Sequence, residues 1–293
     1  MNFAWLATIL TMESEMSHRL DDCADLRGEM DDLLCAHDGE AVAASGLVHT
    51  APGTRITQAV IMAGGKGTRL HPYSALFPKP LMPLNDMPVL ELLLRQMKNA
   101  GITDVILAVN HLSHLLEAFF GNGERLGLNI RYRLESKPLG TAGALGDMLD
   151  DLDDDFFVTN GDLLTTLSLD RMMQAHYRSA GDISIGVYKR EVKIDFGLIE
   201  IDQRSRLMAY REKPTSSHFV SMGVYALRRE AVRMHLTSGE YLDMPGLIMS
   251  VKQSGGDVTC YHEDCVWLDI GRPDDFALAQ QMFVSERNQF LAS

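Results

Sequence analysis

From Ile56 onward, short strand-like apolar runs take turns with stretches of helical period, and this alternation points to a largely parallel sheet covered by helices. Ala59–Ala63 reads as a buried strand, Val89–Asn99 as a helix stopped by Gly101, and Asp104–Val109 as the next strand. Helical Leu112–Phe120, strand-like Leu128–Leu134, helical Thr141–Leu149 and strand-like Phe156–Thr159 continue the series. After Gly181 the strands come closer together, at Ile183–Tyr188, Leu198–Ile201, Leu207–Tyr210 and Phe219–Ala226, which predicts a partly antiparallel second half with a pocket against the first. A last helix is expected over Asp274–Val284. The fold class is therefore α/β, with a mostly parallel mixed sheet.

Residues 1–55 differ in character. Glu13, Glu15, Asp21, Asp22, Asp25, Glu29, Asp31 and Asp32 run through a stretch of helical type, and Ala/Ser/Gly/Thr-rich sequence leads to Pro52 and Gly53. We place a boundary near residue 56 and read the extension as a solvated acidic helix or an oligomerisation element, its role unassigned. Its first apolar run, Phe3–Leu10, lacks a basic flank and is far shorter than the roughly 20 residues that span a bilayer. A signal peptide is the alternative reading of that run.

A net charge of -13 argues against nucleic acid as a partner, because polyanion binders carry basic patches. Cys23, Cys35, Cys260 and Cys265 show neither metal-ligand spacing nor a disulfide framework, so reduced thiols in a cytoplasm, away from any membrane, are expected.

The strongest local motif is Ala63-Gly64-Gly65-Lys66-Gly67-Thr68-Arg69-Leu70, directly after a buried strand. Its glycines let backbone N–H groups approach phosphate oxygens, while Lys66 and Arg69 add positive charge. The P-loop is excluded, since it needs glycine where Val60 stands and Ser/Thr where Gly67 stands. The dinucleotide fingerprint is excluded by Arg69 and Leu70. A strand-to-helix turn that merely needs glycines remains the alternative.

Next, Pro78 and Pro80 hold Lys79 in a stretch that cannot become helix. The strand Phe156–Thr159 runs into Asn160-Gly161-Asp162, which puts a carboxylate where open α/β sheets bind ligands; capping of the following helix is the other possibility. Asp269, within Trp267-Leu268-Asp269-Ile270-Gly271-Arg272-Pro273, is a lone acid in a mostly apolar run. By contrast, the acids of Asp150–Asp155 read as a solvated loop, and His262, Asp264 and Cys265 as unable to share an ion. Glu212-Lys213-Pro214 fixes a lysine at a strand end, and Gly223 inside a strand marks a close approach to the backbone.

Taken in order, AGGKGTRL (63–70), PKPLMP (78–83), PLGTAGAL (138–145), TNGD (159–162), FGLIEID (196–202), EKP (212–214), MGVY (222–225) and WLDIGRP (267–273) resemble the sugar-1-phosphate nucleotidylyltransferase family over about residues 57–285. The chain looks nearest that family's bacterial mannose-1-phosphate guanylyltransferase-like branch. The resemblance implies a Rossmann-like catalytic domain over 56–293 that makes an NDP-sugar, GDP-sugar foremost, and pyrophosphate from a nucleoside triphosphate and a sugar or cyclitol 1-phosphate. It implies a nucleotide along Gly64, Gly65, Gly67, Thr68 and Arg69, with Arg69 and Lys79 near its phosphates and Glu135, Gly140 and Thr141 around its base. By the same resemblance Asp162 and Asp269 hold Mg²⁺, Lys213 grips the acceptor phosphate, and Gly197, Glu212 and Ser221 contact the acceptor. A homo-oligomer is expected. Two departures stand out: Ser221-Met222-Gly223 where the family often has Asn-Ala-Gly, which leaves the sugar open, and the N-terminal extension.

GTP is the favoured donor because an ionised Glu135 only accepts hydrogen bonds, which suits the adjacent ring N–H and amino group of guanine. The competing role for Glu135 is an ion pair with Arg133 on one strand face. A nucleotide-sensing module without turnover and a glycosyltransferase of related topology are the rival functions.

Overall fold

The computed structural model describes residues 55–65, 77–110, 112–271 and 273–292, all within one compact unit, Pro52–Ser293. The expected N-terminal extension lies outside the described residues except for Arg55. In chain order the elements are β1 (Gln58–Met62), β2 (Pro83–Leu84), β3 (Met87–Pro88), α1 (Val89–Asn99), β4 (Asp104–Val109), α2 (Ser113–Phe120), β5 (Asn129–Leu134), α3 (Gly140–Gly146), β6 (Asp155–Asn160) and β7 (Leu163–Thr165). There follow α4 (Leu169–Ser179), β8 (Ile183–Lys193), β9 (Leu198–Ile201), β10 (Leu207–Arg211), β11 (Thr215–Arg228), α5 (Arg229–Arg233), α6 (Met244–Gln253), β12 (Val258–Tyr261), β13 (Trp267–Asp269) and α7 (Pro273–Ala292).

Seven strands form the main sheet in the order β12-β8-β11-β6-β1-β4-β5. The pairs β5–β4, β4–β1, β1–β6 and β8–β12 are parallel, and β11 runs antiparallel to both of its neighbours. The antiparallel character expected after Gly181 is thus one reversed strand within the same sheet, plus two separate antiparallel pairs, β9–β10 and β7–β13.

Strand alternation sorts the core into two layers. Ala59, Ile61, Val105 and Leu107 face α1, which presents Leu90, Leu93, Leu94 and Met97, and α4, which presents Met172 and Met173. Val60, Ile106, Phe156 and Val158 face the other way, against Ala142 and Leu145 of α3 and Leu247 and Val251 of α6. Burying a leucine or valine stabilises by about 1.5–3 kcal/mol, so covering both faces is what makes a parallel sheet of such apolar strands stable. A third cluster joins α7, through Ala279, Phe283 and Phe290, to Met82, Leu84 and Val89.

The helix expected over Thr141–Leu149 is shorter, because Gly146 ends it and Leu149–Asp151 turn as a separate 3-10 helix. The final helix is longer than expected, reaching Ala292 through a non-helical Glu286. The acidic run is also less idle than its composition implied: Asp151 pairs with Arg133 and lies 3.8 Å from Arg131, and Asp155 starts β6 half-buried. Among the described residues, no helix is long and apolar enough to cross a membrane, and no three His, Cys, Asp or Glu side chains cluster as a metal site.

Candidate active site

The strand order reverses at β1, since its neighbours β4 and β6 lie on opposite sides. Such a switch point opens a crevice at the carboxyl ends of the strands. The crevice is a cavity of about 410 Å³ that takes its floor from Met62, Ala63, Gly64 and Gly65 as the chain leaves β1. Ala63 N–H donates to Ala108 O (2.8 Å) and Gly161 N–H to Met62 O (3.0 Å), so the ends of β4, β1 and β6 are tied side by side. Lys66, Gly67, Thr68 and Arg69 lie outside the described residues.

Asp162 enters the cavity where β6 stops. The chain then turns into β7, which pairs antiparallel with β13 so that Leu163 stands opposite Asp269, and Ile270 N–H donates to Asp162 O (3.0 Å). This short ladder carries Asp269 to the side of Asp162. Lys79 opens a single 3-10 turn, Lys79–Leu81, in a stretch expected to hold no helix, because a proline is tolerated in a helix's first turn; its Nζ pairs with Asp162 Oδ2 and lies 3.6 Å from Asp269 Oδ1. Burial pushes the Asp162 carboxyl up from the usual range, the Lys79 ammonium opposes that, and the Asp269 charge adds to it. Two glycines make the approach possible. A Cβ on Gly161 would sit 3.1 Å from Ile61 Cγ2 and 3.3 Å from Met62 O, and Gly223, at φ +76°, leaves room for the Asn160 amide, which a Cβ there would meet at 2.6 Å.

At the opposite end of the cavity stand Glu135, Pro138, Gly140, Thr141 and Asn110. Glu135 is not the partner of Arg133, since both Arg131 and Arg133 turn to Asp151. Its backbone N–H donates to Val109 O (2.8 Å), burial pushes its carboxyl up, the neighbouring Asn110 amide opposes that shift, and the Asp147 charge adds to it. Gly140 (φ +78°) and Gly143 pack beneath the backbone of 240–242; a Cβ on either would come within 2.4 Å of Leu242 O or Glu240 O. Ala142 N–H and Gly143 N–H both donate to Leu242 O, and Met244 N–H donates to Thr141 Oγ1 (2.8 Å). Thr141 is thereby fixed at the cavity edge.

The expected acceptor residues do not line this cavity. Gly197 lies under Tyr210, whose hydroxyl donates to Glu212 Oε2 (3.0 Å), and a Cβ on Gly197 would meet that hydroxyl at 2.3 Å. Lys213 is exposed and held at φ +44°, a conformation that favours glycine. Ser221 Oγ lies 2.9 Å from Tyr225 Oη and accepts from Gly223 N–H, at the bulge where β11 changes register against β8. A second cavity of about 700 Å³ is lined by Asp269 together with Tyr188, Lys189, Arg190 and Trp267. The rings of Tyr188 and Trp267 lie 5.5 Å apart and tilted by 40°, and Trp267 Nε1 donates to Met222 O (3.0 Å). Lys79 and Asp162 border the first cavity and Asp269 the second, so the charged cluster stands between them.

Asn110 in the first cavity carries no signal in the motifs, and Asn160 there, with Tyr188 and Trp267 in the second, has no role assigned from the sequence. The strand-end rule that found Asp162 applies equally to Asn110, which follows β4.

A doubly covered, mostly parallel sheet with a glycine turn and convergent carboxylates at its switch point is the architecture of an α/β phosphate-ligand enzyme. The chain belongs to the nucleotidyl transferase family, whose model matches residues 58–286. It is 32% identical over 230 residues to mannose-1-phosphate guanylyltransferase of Mycobacterium tuberculosis, covering 76% of this chain and 63% of that protein. It is 30% identical over 239 residues to UTP–glucose-1-phosphate uridylyltransferase of Synechocystis, covering 75% and 61%. This chain therefore spans somewhat over three-fifths of the length of either relative. In fold it matches HddC from Yersinia pseudotuberculosis complexed with GMP-PN, with a TM-score of 0.60 at 22% identity over 78% of this chain and 100% of that one.

Proposed function

We propose that residues 56–293 join a sugar 1-phosphate, or a cyclitol 1-phosphate, to a nucleoside triphosphate, GTP by preference, forming an NDP-sugar and pyrophosphate. The observation that carries this reading is the Lys79–Asp162–Asp269 cluster between two cavities, one floored by a glycine turn and one walled by an aromatic pair. Two anions must meet in such a reaction, and the protein's main work is to align them and offset their charge. A phosphate oxygen of the acceptor attacks the α-phosphorus in line with the departing pyrophosphate. The acceptor is already ionised, so no general base is required.

Members of this family generally use a divalent metal. The donor set fits Mg²⁺: two carboxylates converge on a single cation, the Lys79 ammonium, and hard ions of this kind are held by one or two carboxylates plus substrate phosphates. We assign Asp162 and Asp269 as its ligands; when bound, the ion polarises the phosphorus and offsets repulsion between the phosphates. Gly64, Gly65, Gly67, Thr68 and Arg69 cradle the triphosphate, and Lys79 neutralises it. Lys213 takes the acceptor phosphate, Gly197, Glu212 and Ser221 take the acceptor, and the Tyr188–Trp267 wall offers a face for a sugar ring.

Glu135, with Gly140 and Thr141, takes the base. That Glu135 lies in the cavity and leaves Arg133 to Asp151 supports its reading guanine. One mismatched polar contact in a closed site is worth about 1–3 kcal/mol, so Glu135→Gln narrows the gap in kcat/KM between GTP and UTP by about tenfold. A wild-type preference for UTP or dTTP refutes the GTP assignment.

The activity itself is tested by following pyrophosphate with Mg²⁺, a panel of triphosphates and a panel of sugar and cyclitol 1-phosphates. Pyrophosphate is expected only when both substrates are present. Binding without turnover points instead to a sensing module. Release of a nucleoside diphosphate from a sugar nucleotide points to a glycosyltransferase.

A further inference from the structure

Asn160 is the last residue of β6 and stands opposite Met62 in the ladder with β1, so it lines the first cavity from the strand end that also carries Asp162. Behind it lies Gly223 of β11. Gly223 has φ +76°, and a Cβ built on it would lie 2.6 Å from Asn160 Nδ2 and 3.1 Å from Asn160 Cγ, so the amide packs directly against bare backbone. That backbone is itself pinned to the second cavity. It falls at the break in register between β11 and β8, Gly223 N–H donates to Ser221 Oγ (3.3 Å), and the carbonyl of Met222 accepts from Trp267 Nε1 (3.0 Å). Asn160 therefore stands on the partition between the two cavities, in the wall that also holds Lys79 and Asp162.

Packing over Gly223 asks for a side chain of this size and not for its polar atoms. Among the described residues the Asn160 side-chain amide makes no hydrogen bond to the protein, the neighbouring Thr159 hydroxyl being turned to the Asn160 backbone carbonyl (3.1 Å). A half-buried amide gives up part of its water on folding, so unpaired N–H groups at a ligand cavity are there for the ligand. A half-turn of the amide exchanges Nδ2 and Oδ1, which are nearly the same size, so the donor end can face the cavity at little cost in packing. The group is neutral and meets a phosphate without the repulsion a carboxylate would bring. We propose that Asn160 is a catalytic residue whose amide N–H donates to a non-bridging oxygen of the α-phosphate. This rests on the reading that the triphosphate fills the first cavity and the acceptor the second. The acceptor oxygen forms its bond to the α-phosphorus, the bond to the β-phosphate oxygen breaks, and pyrophosphate leaves with the electron pair; Asn160 gives up no proton. Negative charge gathers on the α-phosphoryl oxygens during this exchange, and a donor already ordered by Gly223 acts there mainly on the transition state.

The test measures single-turnover and steady-state pyrophosphate release in wild type, Asn160→Leu and Asn160→Asp, with the triphosphate and acceptor that wild type uses best. Leucine keeps the packing over Gly223 and removes the donor; aspartate keeps shape and polarity and can only accept. Asn160→Leu is expected to lower the single-turnover rate by about a hundredfold, while the KM of each substrate and the Mg²⁺ concentration for half-maximal rate stay within about threefold. Asn160→Asp should lose at least as much, since it adds a charge beside the phosphates. A leucine variant within about threefold of the wild-type rate overturns the inference. So does a rise in either KM at unchanged rate, a loss that excess Mg²⁺ restores, or an aspartate variant that recovers to within about tenfold of wild type. If wild type releases no pyrophosphate with any substrate pair, the reading of the site is refuted and the inference falls with it. If wild type turns over and the leucine variant does so equally, only the role of Asn160 fails. Melting curves accompany each variant, and Asn160→Ala supplies the same comparison should the leucine variant not fold.

Discussion

Replacing Lys79 by methionine keeps the length of the side chain and removes the cation that Asp162 and Asp269 share. Side-chain exposure is 13% for Lys79, 22% for Asp162 and 52% for Asp269, so the first pair is close to buried and the second is not. Breaking a fully buried pair from one side costs about 3–5 kcal/mol, whereas an exposed pair is worth about 0–1 kcal/mol. The substitution should therefore destabilise the metal-free protein by about 2–3 kcal/mol, because Asp162 keeps its burial and loses its counter-charge. For a unit of this size that is a fall in melting temperature of about 4–12 °C. Adding Mg²⁺ should then raise the melting temperature of Lys79→Met more than that of wild type, since binding to the native state alone stabilises it and the ion need not displace an ammonium. Differential scanning fluorimetry with and without Mg²⁺ reads both effects, and neither depends on turnover. A variant melting within about 1 °C of wild type shows that the lysine does not stabilise the carboxylates. Equal Mg²⁺ shifts in the two proteins show that lysine and metal do not compete for them.

Asp162→Asn and Asp269→Asn should each cut turnover by about a hundredfold or more while the circular dichroism spectrum stays native, because a neutral amide is a poor ligand for a hard cation; near-normal turnover in either removes that residue from the metal site. Lys213→Ala should raise the KM for the sugar 1-phosphate and leave triphosphate affinity nearly unchanged, and the reverse pattern in a titration of both substrates would refute its acceptor role. Burial raises the Cys265 thiol from 9.0 to about 11 and the Tyr132 and Tyr177 phenols from 10.0 to about 12, with Glu263 adding at Cys265, Glu117 at Tyr132 and Asp155 at Tyr177. Groups raised in the fold contribute stability that is intact below their unfolded values and lost as pH rises through the folded ones, so urea midpoints should fall from about pH 9 toward pH 11 and beyond; a flat alkaline limb contradicts this.

The chemistry of this site was more legible in the sequence than its geometry. Asp162 was found because a hydrophobic strand running into Gly-Asp has its carboxylate at the one end of a parallel sheet where ligands bind, a rule that needs only local sequence. Asn110 obeys the same rule after β4 and escaped notice because an amide carries no charge to draw attention. What brings Asp269 to Asp162 is two three-residue strands, β7 and β13, too short to show a period of two and far apart along the chain. Their register depends on burying Leu163 and Leu164, which is a tertiary decision.

The glycines of PLGTAGAL show the same limit from the other side. Their resemblance marks Gly140 as a nucleotide contact, and Gly140 does border the cavity. Yet its Cβ direction, like that of Gly143 three residues on, is filled by the backbone of 240–242, and a Cβ on Gly146 would meet Thr237 O at 2.9 Å. Spaced three apart, they form a smooth stripe that lets α3 lie against a segment some hundred residues downstream, and that segment in turn fixes Thr141 through Met244 N–H. A motif glycine can thus owe its place to a ligand on one side and to packing on the other. A substitution at Gly143 separates the two, because it touches the packing and not the cavity.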